Sequence, residues 1–452
     1  MTNIKGEIGE SKDSILGRLR GSVSFQLGIL YSLTMLAMMG YGIVMPTIPF
    51  FARTLGASAL ELGLFTTLFA LTGFFVAPFW GTLSDRIGRR PVLLIGIVGY
   101  SASFLIMGLA DSIWILLLGR TVGGLLSSSV FPTTQAYVAD ISDPTARSAR
   151  MGVVGAMMNV GFVAGPAVGG LLSYLGPQLT FFVSSGVVLA TALLILLLPR
   201  PEIEGRQTSM DTATTGAGAA THSEAVVRDA GLAKPQPALQ PRRPRRVSLG
   251  AMYTALSGPL GLFFVLAFLM SFAGAAGSSM MPLFLMDKMG ATERHISLVY
   301  TVMGATSALL QGLAVGPATA ALGRRRAALV ALTLTAAGYL LALLVPSIPL
   351  YIGVAMLMSA GMSLLRPIIL ASVSVGTKLG QGLTMGVMSS FDSLGRGMGP
   401  LWAGLIYDFS INGPFLTVVG IGTIGIVLVQ TSMGRQAFTA GQDNHPSEVA
   451  ST

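Results

Sequence analysis

Twelve runs of about twenty mostly apolar residues recur along this chain, and that length constrains its fold more than any other feature. A helix of roughly 20 residues crosses the hydrocarbon core of a bilayer. It also satisfies its own backbone N–H and C=O groups, which an open strand in lipid cannot do. The first run covers about Val23–Met45 and is expected to continue past Pro46 and Pro49 to about Phe51. The others cover about 60–80, 91–110, 113–138, 150–174, 179–198, 259–286, 296–318, 327–345, 349–374, 382–407 and 412–432. The expected fold is an all-α membrane protein with twelve transmembrane helices. Composition agrees: 10% of residues are charged, against about 25% in soluble domains.

Six spans precede and six follow a polar stretch, 199–258, rich in Ala, Thr, Gly and Pro. The expected organisation is a tail (1–22), a six-helix bundle (23–198), a flexible linker (199–258), a second bundle (259–432) and a tail (433–452). No short apolar run with a small-residue cleavage site follows the polar tail, so no cleaved signal peptide is expected. The linker ends in Pro241-Arg-Arg-Pro-Arg-Arg246, read as a topology signal or as a contact for lipid headgroups. With both ends on one side, that side holds 22 of the 28 Lys and Arg. The opposite loops hold Arg53, Lys288 and Arg294, and Arg120, Arg366 and Arg396 lie within spans. The positive-inside rule then puts both termini and the linker in the cytoplasm, in a plasma (inner) membrane. This placement accounts for the net charge of +9, so no nucleic acid partner is expected.

Several chemistries are excluded. There is no cysteine, hence no disulfide, thiol nucleophile or thiolate metal site. His222, His295 and His445 have no metal-ligand spacing. No nucleophile–base pair appears, and Gly165–Gly170 lies inside a helical run, not after a strand, so it is no phosphate loop. Neither enzyme activity nor a cofactor nor a metal is expected. The 24 methionines, many within spans, suit either lipid-facing packing or an adaptable cavity.

The two halves repeat. Gly81-Thr-Leu-Ser-Asp-Arg-Ile-Gly-Arg-Arg-Pro-Val-Leu-Leu94 joins two apolar runs and has a degraded copy starting at Gly316. Gly81, Gly88, Arg89 and Arg90 map to Gly316, Gly323, Arg324 and Arg325, all 235 residues on, while Asp85 maps to Ala320. Met151-Gly152, Gly161 and Gly165-Pro166 recur as Met385-Gly386, Gly395 and Gly399-Pro400, 234 residues on. Pro132 has its counterpart in Pro367. Two parallel six-helix repeats with a site near the bilayer midplane between them form a transporter plan.

At the level of motifs the chain resembles the major facilitator superfamily, in particular its twelve-helix drug–proton antiporter group. The signature turn is matched by Gly81, Leu83, Asp85, Arg86, Gly88, Arg89 and Arg90, and the first-span pattern by Gly40, Pro46 and Pro49. The fourth-span arginine motif is matched by Leu116, Arg120 and Gly124, with Gly123 where the family usually has Gln. The fifth-span antiporter motif is matched by Gly161, Gly165, Pro166, Gly169, Gly170 and Leu172. The resemblance implies two pseudo-symmetric six-helix bundles (the major facilitator fold), and the fifth-span motif leans toward export.

Roles follow for named residues. Asp85 can lie at the N-terminus of the eleventh span, which the resemblance implies as its neighbour and where the helix dipole favours an acid. Arg89 can pair with Asp140. With Gly81, Arg86, Gly88 and Arg90 these residues are expected to form a cytoplasmic latch, or else a plain topology turn. The glycines of the fifth span, with a bend at Pro166, are expected to form a close hinge against the eighth span, or ordinary close packing. Asp392 and Arg396 share a helix face at i, i+4, and Asp392 is the candidate proton site, or else half of a structural pair. Arg120 and Arg366 are candidate cavity charges for an anionic or polar substrate, because an intramembrane charge is costly unless it has a use. The first span carries no acid, unlike many drug antiporters; Gln26, Tyr31, Thr34 and Tyr41 are its polar groups, and Gln26, Tyr31 and Thr34 are cavity candidates. The expected function is export of small amphipathic, drug-like compounds by alternating access with proton antiport. The alternatives are transport of a specific metabolite such as a sugar or siderophore and, from another class, a receptor or scaffold. The expected partners are a small-molecule substrate, protons and membrane lipids, with the chain acting as a monomer.

Overall fold

The computed structural model describes residues 22–199, 261–376 and 381–431. The expected tails and linker lie, apart from residues 22 and 199 at their edges, outside the described residues, as do Lys378 and residues 259–260 and 432 of the expected second bundle. Among the described residues every regular element is helical. The first half holds α1 (Val23–Val44), α2 (Thr47–Thr54), α3 (Ala59–Ile87), α4 (Arg89–Gly108), α5 (Ile113–Ser127), α6 (Val130–Asp140), α7 (Arg147–Leu172) and α8 (Pro177–Leu197). The second half holds α9 (Gly261–Met289), α10 (Glu293–Leu313), α11 (Val315–Leu344), α12 (Ile348–Gly376), α13 (Gln381–Phe409) and α14 (Gly413–Gln430).

Two expected spans are broken in ways that residue chemistry explains. The first does not run unbroken to Phe51: α1 ends at Val44 and α2 begins at Thr47. Pro46 offers no N–H and its ring obstructs the preceding turn. Pro49 is tolerated because it is the third residue of α2, where backbone N–H groups lack helical partners anyway. The fourth span breaks at Ser128–Ser129, where both hydroxyls bond back to carbonyls of the preceding turn, Leu125 and Leu126. Its counterpart proline, Pro367, lies inside an unbroken α12. The start of α3 is set by a capping box, Ser58 and Glu61 each bonding the other's backbone N–H.

Eleven of the spans are apolar and long enough to cross a membrane, counting α5 and α6 as one. α13 falls outside that set, although it has 29 residues, because it carries polar and charged groups such as Asp392 and Arg396. It packs between α9 of its own half and α3 of the other. The large exposed side chains are lipid-facing in character: Phe75, Trp114, Leu171, Leu313, Leu344 and Phe409 all stand at the surface.

Within the first bundle α1 packs on α7 and α8, and α4 on α5 and α8; within the second, α9 packs on α13 and α11 on α12 and α14. The bundles meet chiefly through two helix pairs, α3 with α13 and α7 with α10. The fifth span does pack on the eighth, as expected, but three of its motif glycines face elsewhere. Gly161, Gly165 and Gly169 press against α1, where an added Cβ would strike the Met35 carbonyl, the Gly42 backbone and the Ile43 carbonyl. Spacing of four places all three on one stripe, and that stripe faces the bundle's own first helix. Gly170, one residue off it, meets Ser297 of α10. The second bundle repeats the device, with Gly395 and Gly399 against the Phe268 and Phe272 carbonyls of α9.

Candidate functional site

Between the bundles lies a cavity of two lobes, about 410 Å³ and about 290 Å³, which share Tyr41, Met45, Ala275, Ser278 and Arg396 as walls. That size suits a drug-sized molecule. Most of the wall is apolar, with Phe162, Met270, Met362 and Met388 in the larger lobe and Phe65, Phe69 and Tyr300 in the smaller. Four lining side chains are charged: Arg120, Arg366, Asp392 and Arg396.

Asp392 gathers three helices around it. It pairs with Arg396 one turn on, accepts from Ser271 Oγ of α9, and pairs with Arg366 of α12 at 3.2 Å. Asp392 is largely buried, whereas both arginines are exposed to the cavity. Arg120 is held differently. It is 3% exposed, and its guanidinium carbon lies 4.0 Å from the Phe69 ring centroid, 4.8 Å from Phe65 and 5.3 Å from Tyr41. Such ring faces attract a desolvated cation by about 2 kcal/mol. One amine donates to the Tyr41 hydroxyl at 3.5 Å, and Nε has no partner. No acid pairs with Arg120 among the described residues.

One end of the cavity is closed by contacts between the bundles. Arg53 of α2 pairs with Asp287 of α9 at 2.9 Å, and Tyr407 donates to the same carboxylate at 2.8 Å. Thr47 donates to Glu293, and Arg294 lies 3.2 Å above the Tyr174 ring centroid. Deeper in, Thr67 Oγ1 donates to the Gly397 carbonyl at 2.8 Å. The other end is open in that no ion pair joins the bundles there among the described residues.

The signature turn stands at the open end. Arg89 pairs with Asp85 at 2.6 Å and with Asp140 at 3.0 Å, and donates to Ser84 Oγ at 2.6 Å. The Asp85 side chain is 62% exposed. Arg90 donates to the carbonyls of Ile195 and Leu196 at the end of α8. Gly88 supplies a φ of 92° between α3 and α4. Gly81 and Arg86 are exposed on the same turn.

Three cavity candidates from the first span are corrected. Gln26 is buried and Tyr31 bonds the Arg150 carbonyl at 3.4 Å, and neither lines the cavity. Thr34 bonds the Leu30 carbonyl within its own helix and lines a separate pocket inside the first bundle. All three sit about two turns or more from Tyr41, the residue of α1 that faces the centre. The link from Arg366 to Asp392 and the closing contacts at Arg53, Thr47 and Arg294 were not visible as sequence patterns. Their partners lie up to 246 residues away. The hint is the cluster of charges Asp287, Lys288, Glu293 and Arg294 between two apolar spans.

A two-bundle helical membrane protein with a closable central cavity is the architecture of a secondary transporter. The Major Facilitator Superfamily profile matches residues 30–279 and 263–448, and the chain belongs to that superfamily. Multidrug resistance protein 2 of Bacillus subtilis (strain 168) is 27% identical over 411 residues, 87% of this chain and 93% of that protein. The quinolone resistance protein NorA of Staphylococcus aureus (strain Mu50 / ATCC 700699) is 26% identical over 412 residues, 89% of this chain and 95% of the relative. Among solved structures, a bacterial homologue of the human lysosomal transporter Spinster superposes with a TM-score of 0.62 at 17% identity, covering 94% of this chain and 97% of the other.

Proposed function

We propose that the chain is a secondary active transporter that exports small amphipathic, drug-like compounds by alternating access, with proton antiport. The observation that carries this reading is the cavity itself, apolar-walled, charged at its centre, tied between the bundles by an ion pair at one end and by none at the other among the described residues. The names of the two sequence relatives, multidrug and quinolone resistance proteins, support drug export in particular. Residues 23–198 rock against 259–432. The excess of Lys and Arg on one side supports an orientation with both termini and the linker in the cytoplasm, so that the open end faces the cytoplasm. The chain works as a monomer, since its two halves already enclose the cavity.

In this reading Asp392 carries the proton. Losing its charge on protonation weakens the hold on Arg366 and Arg396, and that changes the packing of α13 against α9 and α12. Asp85, Arg89 and Asp140 form the latch. When the cytoplasmic end closes, the exposed Asp85 meets the start of α13. Gly161, Gly165, Pro166 and Gly169 keep α7 seated on α1, so that the bundle moves as one body.

The test is dye efflux from cells expressing the chain, beside Asp392→Asn, with and without a protonophore. Protonophore-sensitive efflux that the variant loses supports the reading. Efflux of equal rate in the variant removes Asp392 from proton coupling, and a folded protein that moves no dye removes polyspecific export.

A further inference from the structure

The charges on the cavity wall do not balance. Arg120, Arg366 and Arg396 face it, and Asp392 is the one acid among the described lining residues of its two lobes. Asp392 is shared by Arg366 and Arg396, so the α12–α13 side keeps an excess positive charge. Arg120, on the α5 side, has no acid at all. A cleft with apolar walls and charge of one sign concentrates its field on whatever enters. A buried arginine without an anion is costly. Here the Phe65, Phe69 and Tyr41 rings hold Arg120 in place, while its Nε, buried at the cavity wall, has no hydrogen-bond acceptor.

We infer that the cavity selects amphipathic organic anions, an aromatic or aliphatic body carrying a carboxylate or sulfonate that Arg120 binds. This rests on the export reading above and narrows its substrate class. The acid group supplies the acceptor that Arg120 lacks, by a charge-assisted hydrogen bond. Arg366 and Arg396, exposed to the larger lobe, attract the same group on entry. The apolar body lies against Phe162, Met270, Met362 and Met388, flexible side chains that fit bodies of different shape. An organic cation meets the opposite field, with Asp392 already engaged by two guanidiniums and a hydroxyl. The direction of transport agrees, because an anion leaving the cell moves with an inside-negative membrane potential, whereas a cation moves against it.

The test uses three probes with one ring system: naphthoate, naphthamide and naphthylmethylammonium. Binding is measured on the purified full-length chain in detergent, and transport in proteoliposomes. We expect naphthoate to bind about tenfold or more tighter than the ammonium, with the amide between them. Arg120→Gln should weaken naphthoate binding about tenfold and leave the amide within about threefold, while Arg120→Lys keeps part of the preference. Arg366→Gln, at an exposed position, should reduce the preference less, and it serves if the Arg120 variants do not fold. Ammonium bound as tightly as naphthoate, or no probe bound by folded protein, overturns the inference. Naphthoate bound but not moved leaves the anion site standing and overturns the export reading. Ammonium preferred and moved does the reverse.

Discussion

At Gly88 and at Gly323, 235 residues apart, the chain makes the same turn, with φ 92° and ψ 160° at the first and φ 73° and ψ 156° at the second. The arginine two residues on then does the same thing in both bundles. Arg90 donates to the Ile195 carbonyl at 3.2 Å, and Arg325 donates to the Val429 carbonyl at 3.2 Å, each at the end of that bundle's last helix. The two copies part company at the acid. Asp85 and Asp140 hold Arg89, whereas the second copy has Ala320 in place of Asp85 and no ion pair among the described residues. What both copies keep is what a six-helix bundle needs in order to close: a glycine turn and a tie to its last helix. What one copy keeps is extra charge at the open end, which the second bundle closes without, and this is the copy to which the proposed function gives the latch.

The glycine stripes give the largest expected effect on this comparison. Gly165→Leu and Gly399→Leu each force a side chain into a helix contact made backbone to backbone, and overpacking of that kind costs about 1–3 kcal/mol or more. Both variants should lose most of their monodisperse protein on gel filtration in detergent. Loss in one bundle alone would break the symmetry drawn here. Next comes the acid. Asp85→Asn should lower transport about tenfold, about 1.4 kcal/mol on the barrier, with thermal stability unchanged, while Ala320→Asp should leave both near the parent. Unchanged transport in Asp85→Asn would sink the latch. Gly88→Ala and Gly323→Ala place a Cβ in a region nearly confined to glycine, at about 1–3 kcal/mol each. Their melting temperatures should fall by similar amounts, and unequal falls would show that the turns carry different loads. Arg90→Ala and Arg325→Ala remove one helix tie each, about 1 kcal/mol, and should give the smallest shifts, again as a matched pair.

Spans, their order and the internal repeat are legible in the sequence because each depends on neighbours along the chain: twenty apolar residues, a proline, a glycine before a basic pair. The break at Pro46 rests on a local signal too, its missing N–H, although the length of the apolar run pointed to a span continuing past it. The site is less legible. Asp392 and Arg396 are one turn apart and share a face in any helix, but Arg366 and Ser271 reach the same carboxylate from other helices, 26 and 121 residues away. The face that Gly161, Gly165 and Gly169 present is set by how α7 sits on α1, which their spacing leaves open. Arg53 and Asp287 meet only because two bundles close at one end, and they are 234 residues apart. Pairs of that kind are properties of a conformation as much as of a sequence.

The central claim is that the two ends open and close in opposition. The chain has no cysteine, so paired spin labels can be placed without removing any. One pair, Thr54→Cys with Ser410→Cys, spans the closed end; the other, Thr82→Cys with Arg326→Cys, spans the open end. Distances by electron–electron double resonance, with and without a transported compound and with an imposed proton gradient, decide the matter. The account predicts that the first distance lengthens as the second shortens. Two distances that stay fixed, or that change in the same direction while the protein transports, would contradict it.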